Sequence, residues 1–216
     1  PERRNAMTPE MQNELIEAMR EAAAGECRVV VLAGAGEAFC SGLDLSSLQE
    51  MNSKAATEHT VDAERVARLF RTLYELPKPT IAAVHGAAIA GGTGLATICD
   101  FTLAVPGAKF GNTEARIGFV PALVSAYLTL QIGDKRARDL LLTGRLFLSE
   151  EAERLGLVNE VVPPEQLQAR VVELAGVLKA NSPESMAATK RLLAAQNKAS
   201  LDAAIAEAMG ANAEAR

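Results

Sequence analysis

Two loops built almost entirely from small residues, GAGEAFCSGLDL at 34–45 and GAAIAGGTG at 86–94, could do chemistry with their backbone N–H groups. Glycine, alanine and serine let a ligand come close to the main chain. If the second loop opens a helix reaching Cys99, the Gly91 N–H stands at a helix N-terminus, where the dipole favours developing negative charge. Two such donors aimed at one carbonyl oxygen form an oxyanion hole, and each is typically worth about 3–4 kcal/mol of barrier. The same glycines also suit tight turns and close helix–strand packing, so the loops alone leave both readings open.

Other chemistries find less support. Neither loop carries G-x-x-x-x-G-K-[ST] or G-x-G-x-x-G, the phosphate-cradling patterns. The chain has no G-x-S-x-G, and His85 beside the second loop reads as a packing residue at a strand end. Two histidines, His59 and His85, and three cysteines, Cys27, Cys40 and Cys99, without C-x-x-C or H-x-x-x-H spacing, lead us to expect no metal site. Lys and Arg total 22 against 27 acids, a net charge of −5, with the basic residues scattered, so neither nucleic acid nor a membrane surface is an expected partner. No apolar run approaches the ~20 residues that span a bilayer. An odd cysteine count suggests a reducing compartment, and the expected location is the cytoplasm. The sequence opens at Pro1 rather than Met, so an upstream piece, including a targeting peptide, is compatible with it.

The elements that must hold the loops follow from local patterns. Thr8, Pro9 and Glu10 form a helix start, and Met11, Leu15, Ala18, Met19 and Ala22 recur at helical spacing until Gly25. Residues 29–33 and 80–84 are apolar, β-branched runs that predict strands buried on both faces. Asp44 can cap a short helix to Met51, residues 52–60 look mobile, and Val66, Leu69, Phe70 and Leu73 mark one face of a helix over 61–76. Residues 101–105 and 108–110 read as a strand pair across Pro106 and Gly107. Helices are expected over 121–130 and 134–142, from Ser149 to Gly156, and from Pro164, Pro183 and Leu201, with an extended 157–162 between. Strand–helix alternation followed by helices implies an α/β core with a C-terminal helical region.

Several ordered motifs together resemble the crotonase (enoyl-CoA hydratase/isomerase) family: the loop at 34–45, PKPTIAAVHGAAIAGGTGLATICD at 77–100, and FGNTEARIG at 110–118. PERRNAM at 1–7, LLTGR at 141–145 and AERLGLVN at 152–159 extend the resemblance over essentially the whole chain. It implies a spiral of β-β-α units, with a core over 1–140 and a mainly helical trimerisation region over 141–216. It also implies a homotrimer or dimer of trimers, a strand hairpin before Pro1 and further helices after Arg216. The substrate implied is an acyl-CoA thioester, whose carbonyl oxygen the backbone N–H groups of Leu43 and Gly91 would hold as an enolate forms. No cofactor is implied beyond the coenzyme A that the substrate carries.

The resemblance further places coenzyme contacts at Arg4, Ala6, Ser41, Gly42, Asp44, Leu45 and Gly92, with Arg3 and Lys78 as alternative phosphate partners or plain surface charges. Hydratases of this type use two glutamates, and only the second has a counterpart here, Glu114. Gly94 stands where the family's first glutamate is frequent, and the only acid between Leu76 and Thr113 is Asp100, which reads as structural. Glu114 alone would then move protons, adding water to C3 of a 2-enoyl-CoA or shifting a proton between C2 and C4 of a 3-enoyl-CoA. A non-catalytic acyl-CoA-binding protein is the third reading.

Overall fold

The structure, a computed structural model, describes residues 2–42 and 56–214. Helix α1 (Pro9–Ala24) starts where its cap says it must: the Thr8 side chain accepts from the Met11 N–H and Pro9 occupies the first turn. Strands β1 (Val30–Ala33) and β2 (Ala38–Cys40) follow, then α2 (Ala56–Tyr74). The next unit is β3 (Thr80–Val84), β4 (Ala87–Ile89) and α3 (Gly91–Ile98). The third is β5 (Phe101–Ala104), β6 (Lys109–Gly111) and, after a 3-10 turn over Glu114–Ile117, α4 (Ala122–Ile132). Each unit is strand, strand, helix. The rest comprises α5 (Asp134–Thr143), β7 (Leu146–Leu148), α6 (Ser149–Leu155), β8 (Glu160–Val161), α7 (Leu167–Ala180) and α8 (Pro183–Glu214).

Within each unit the two strands join different sheets. One sheet has the order β1-β3-β5-β8, all parallel, and the other β2-β4-β6-β7, parallel except for β6–β7. The chain therefore climbs as a spiral, the α/β architecture with a helical C-terminal region that the sequence motifs implied. Both sheets are completed by strands from beyond residue 140. Among the described residues no helix is long and apolar enough to cross a membrane.

Several local expectations need correction. The segments at 101–105 and 108–110 are not a hairpin pair: β5 lies between β3 and β8, whereas β6 lies between β4 and β7, because the turn at Gly107 (φ +72°) carries the chain from one sheet to the other. β1 is half-buried rather than buried on both faces, with Val31 44% exposed, since it is an edge strand whose residues alternate between faces. Residues 56–60 belong to α2, and one helix runs from Pro183 through Leu201, as no Gly or Pro interrupts it there. The helix expected from Asp44 to Met51 lies outside the described residues.

Packing fixes the position of α3. Leu69, Phe70 and Leu73 of α2, Leu128 of α4 and Phe110 of β6 are fully or almost fully buried in one continuous core with Leu95 and Ala96 of α3. Asp100, just past α3, accepts from the Thr80 N–H (2.8 Å) and hydroxyl (2.9 Å) and pairs with Lys190 of α8, so it is the structural group its position suggested.

The first turn of α3 is pinned on the other side by β6. The Ala90 N–H donates to the Gly111 carbonyl (2.6 Å), the Gly111 N–H donates to the Thr93 hydroxyl (3.1 Å), and that hydroxyl donates to the Ala88 carbonyl (2.7 Å). Thr93 is fully buried, so losing its hydroxyl strands an N–H and a carbonyl away from water. Thr93→Val keeps the shape and is expected to cost about 1–3 kcal/mol. Thermal denaturation should show a Tm lower by roughly 2–10 °C for a chain of this size; an unchanged Tm would show that the clasp contributes nothing.

Candidate active site

The α3 N-terminus offers the donors. Its first N–H groups have no partner within the helix, and Gly91 and Gly92 are buried there. Ala90, which caps it, holds φ +53°, ψ −123°, a conformation costly for any residue with a Cβ. Such strain persists only where surrounding bonds impose it, and the bond to Gly111 does so.

The loop after β2 is brought to the same point. Gly42 adopts φ +86°, and a Cβ there would stand 2.9 Å from the Ala90 methyl and 3.5 Å from the Gly91 nitrogen. A side chain would push the loop off α3. Leu43, Asp44 and Leu45 come next, so the expected second donor at Leu43 and the contacts at Asp44 and Leu45 lie outside the described residues. Gly92 packs against the Cys40 carbonyl, which a Cβ would approach to 2.3 Å.

The N-terminal segment locks this loop. The Gly42 carbonyl accepts from the Met7 N–H (2.8 Å), and the Ser41 N–H donates to the Arg4 carbonyl (3.0 Å). Ala6 is buried and bonds to the Arg3 carbonyl through its N–H, while the Arg4 side chain is on the surface. Asn5, which sequence reasoning passed over, donates from its side-chain amide to the carbonyls of Ala35 and Ala38 (2.8 Å each). Its φ of +53° is one that asparagine tolerates better than most residues, so the residue type was the one signal in the sequence. Arg4, Ala6, Ser41, Gly42 and Gly92 thus form one continuous patch around Gly91. Lys78 does not join it: its ammonium binds the Gly25 carbonyl at the end of α1.

Glu114 is linked to the patch through β6. It opens the 3-10 turn that follows Gly111, and Gly111 is bonded to Ala90, the residue before Gly91. Part of the residue reaches the surface, but Oε2 is shut off from solvent with no hydrogen-bond partner. Burial pushes its carboxyl up to about 7, outweighing a backbone hydrogen bond at the start of the turn that pulls it down. A carboxyl balanced between its two forms at neutral pH can both take and return a proton. Gly94, one turn along α3 from Gly91, has no room for a second: a Cβ there would stand 2.8 Å from the Phe70 ring and 3.2 Å from a Val124 methyl. Phe70 is fully buried and held edge-on by Tyr127.

Elsewhere, a groove of about 350 Å³ between α2 and α8, lined by Arg68, Arg71, Glu75 and Ile205 among others, contains none of these groups. Its Arg71 is paired to Asp202 at 2.7 Å. Among the described residues, no three His, Cys, Asp or Glu side chains gather where a metal could be held.

The family description "Enoyl-CoA hydratase/isomerase" matches residues 1–213. A Thermus thermophilus protein named "Putative enoyl-CoA hydratase" is 45% identical over 196 residues, 90% of this chain and 78% of that one. A short-chain-enoyl-CoA hydratase of Clostridium acetobutylicum is 34% identical over 183 residues, 84% of this chain and 69% of its own length. Among solved structures, an enoyl-CoA hydratase/isomerase from Xanthobacter autotrophicus Py2 superposes with a TM-score of 0.93 at 32% identity, covering 100% of this chain and 81% of that one.

The raised Glu114 carboxyl has a consequence for stability. It titrates near 4.5 ordinarily and about 7 in the fold, so between those values the folded chain binds more protons than the unfolded one. Stability is therefore lost as pH rises through that window, by at most about 3 kcal/mol. Glu114→Gln removes the charge. Denaturant titrations from pH 4 to pH 8 should show the variant gaining on the wild type from about pH 4.5 to 7 and no further above. Parallel curves would mean the carboxyl is not desolvated.

Proposed function

The chain belongs to the enoyl-CoA hydratase/isomerase family, and from that premise we propose that it is an enoyl-CoA hydratase-type enzyme. The substrate's thioester carbonyl would rest on the N–H groups of Gly91 and Leu43, with Glu114 as the one acid–base group. The observation that carries this reading is the bond from the Ala90 N–H to the Gly111 carbonyl, 2.6 Å, which ties the buried helix N-terminus to the strand end three residues before Glu114, whose Oε2 is buried. Arg4, Ala6, Ser41, Gly42, Asp44, Leu45 and Gly92 would contact the coenzyme moiety, those among the described residues forming the patch around Gly91.

In hydration, Glu114 takes a proton from water as the oxygen bonds to C3 of the 2-enoyl thioester. The C2=C3 electrons move onto the thioester oxygen as an enolate, held by the two N–H groups. Collapse of the enolate then takes the proton from Glu114 onto C2. Atoms and charge balance with one carboxyl, and a group balanced near neutral pH suits both halves. Names of the relatives support hydration as the first reading.

The filled space beside Gly94 favours a second reading, isomerisation. There Glu114 removes a proton from C2 of a 3-enoyl-CoA and returns it to C4, a shift that needs a single base. The assembly proposed is a homotrimer or dimer of trimers in the cytoplasm. Apolar residues left on the surface, such as Leu142 (74% exposed), Leu192 and Leu193, support burial against other copies.

Incubating the protein with a 2-enoyl-CoA and, separately, a 3-enoyl-CoA and identifying the products separates the readings. The expected products are a 3-hydroxyacyl-CoA from the first and, under the second reading, a 2-enoyl-CoA from the other. Glu114→Gln is expected to lower turnover by about 10²–10⁴-fold with thioester binding retained. Persistence of both substrates unchanged would favour the non-catalytic acyl-CoA-binding reading.

A further inference from the structure

Six buried side-chain atoms among the described residues lack a hydrogen-bond partner, and three of them sit within three residues of one another: Asn112 Nδ2, Asn112 Oδ1 and Glu114 Oε2. Folded proteins leave very few such atoms, so a cluster asks for a ligand or an ordered water. Gln12 and Arg28, which hold two of the others, already use part of their hydrogen-bonding capacity, through Met7 and through Lys179 and Asn181. Asn112 uses none of its own, although it is completely shielded from solvent.

Its place in the chain sets it beside the candidate site. Asn112 follows Gly111, whose carbonyl and N–H are taken by Ala90 and Thr93 at the start of α3, and it precedes Glu114 by two positions. Leucine would occupy a similar volume with no amide to desolvate, and a purely structural asparagine in a turn bonds to nearby backbone, which this one does not. Meanwhile Phe70 and Val124 fill the space beside Gly94, into which a carboxylate side chain at that position would have to extend to help hold a small reactant.

We propose that Asn112 is a positioning residue for the reacting water, its amide and the Glu114 carboxyl together holding that water against the substrate's C3. The inference rests on the hydratase reading. A water held this way donates one proton to the Glu114 carboxylate and another to Asn112 Oδ1. Its oxygen then accepts from Nδ2 until it attacks. The amide thus orients the nucleophile without itself gaining or losing a proton.

Steady-state kinetics of hydration in Asn112→Leu and Asn112→Ser, with a saturated acyl-CoA as binding probe, test it. Asn112→Leu should lower kcat by at least about tenfold while KM and the Kd of the saturated thioester stay unchanged, because a lost orientation acts on the chemical step. Asn112→Ser, which keeps a hydrogen-bonding group, should fall between that variant and the wild type, and serves if the leucine variant does not fold. Unchanged kcat in either variant, or kcat and thioester binding lost together, would overturn the role of Asn112 while leaving the hydratase reading standing. No hydration by the wild type would overturn that reading and this inference with it.

Discussion

The site depends on one backbone junction, the pairing of Gly111 with the first turn of α3. The Gly111 carbonyl takes the Ala90 N–H and its own N–H goes to the Thr93 hydroxyl, so the end of β6 and the start of α3 cannot move apart without stranding buried polar groups. That junction holds Ala90 in a conformation costly for alanine, which sets the direction in which α3 begins and its free N–H groups point. Glu114 lies twenty-three positions after Gly91 in the chain, yet the junction reduces the connection between them to a few covalent links. Gly42, packed against Ala90, brings the first loop to the same junction.

Burial and chemistry are coupled around this junction. Burial desolvates Glu114 and lifts its carboxyl to about 7, a destabilising feature at neutral pH that would suit the group to serve as both acid and base. Phe70 belongs to the packing that seats α3. It helps fill the core, and it closes the volume into which a side chain at position 94 would extend. One set of contacts therefore stabilises the spiral and restricts the site to a single carboxyl from the α3–β6 region.

Much of the frame was legible in the sequence because it rests on local rules. Thr8 and Pro9 start α1, Gly156 ends α6 in a left-handed conformation, and the continuous apolar run at 80–84 becomes the fully buried β3. What escaped local reading was the second sheet. β2 and β4 have three residues each, too few to show alternation, and both lie in stretches whose glycines and alanines read as loop. The separation of β5 from β6 was equally hidden, since a turn at Pro106 and Gly107 fits a hairpin as well as a change of sheet. Gly91 emerged from the dipole argument alone, but Glu114 was selected by family resemblance, and its burial, the blocked space at Gly94 and the unpaired amide of Asn112 are properties of packing.

The central claim is that a thioester carbonyl sits at the α3 N-terminus with Glu114 facing the acyl carbons. A crystal structure of the protein with a non-hydrolysable or saturated acyl-CoA tests this most directly. The account predicts the thioester oxygen about 2.7–3.1 Å from the Gly91 nitrogen, the spacing of an oxyanion-hole donor, and a Glu114 carboxyl oxygen directed at C2 and C3. A thioester oxygen bound away from Gly91, or a Glu114 carboxyl turned from the acyl chain, would contradict it.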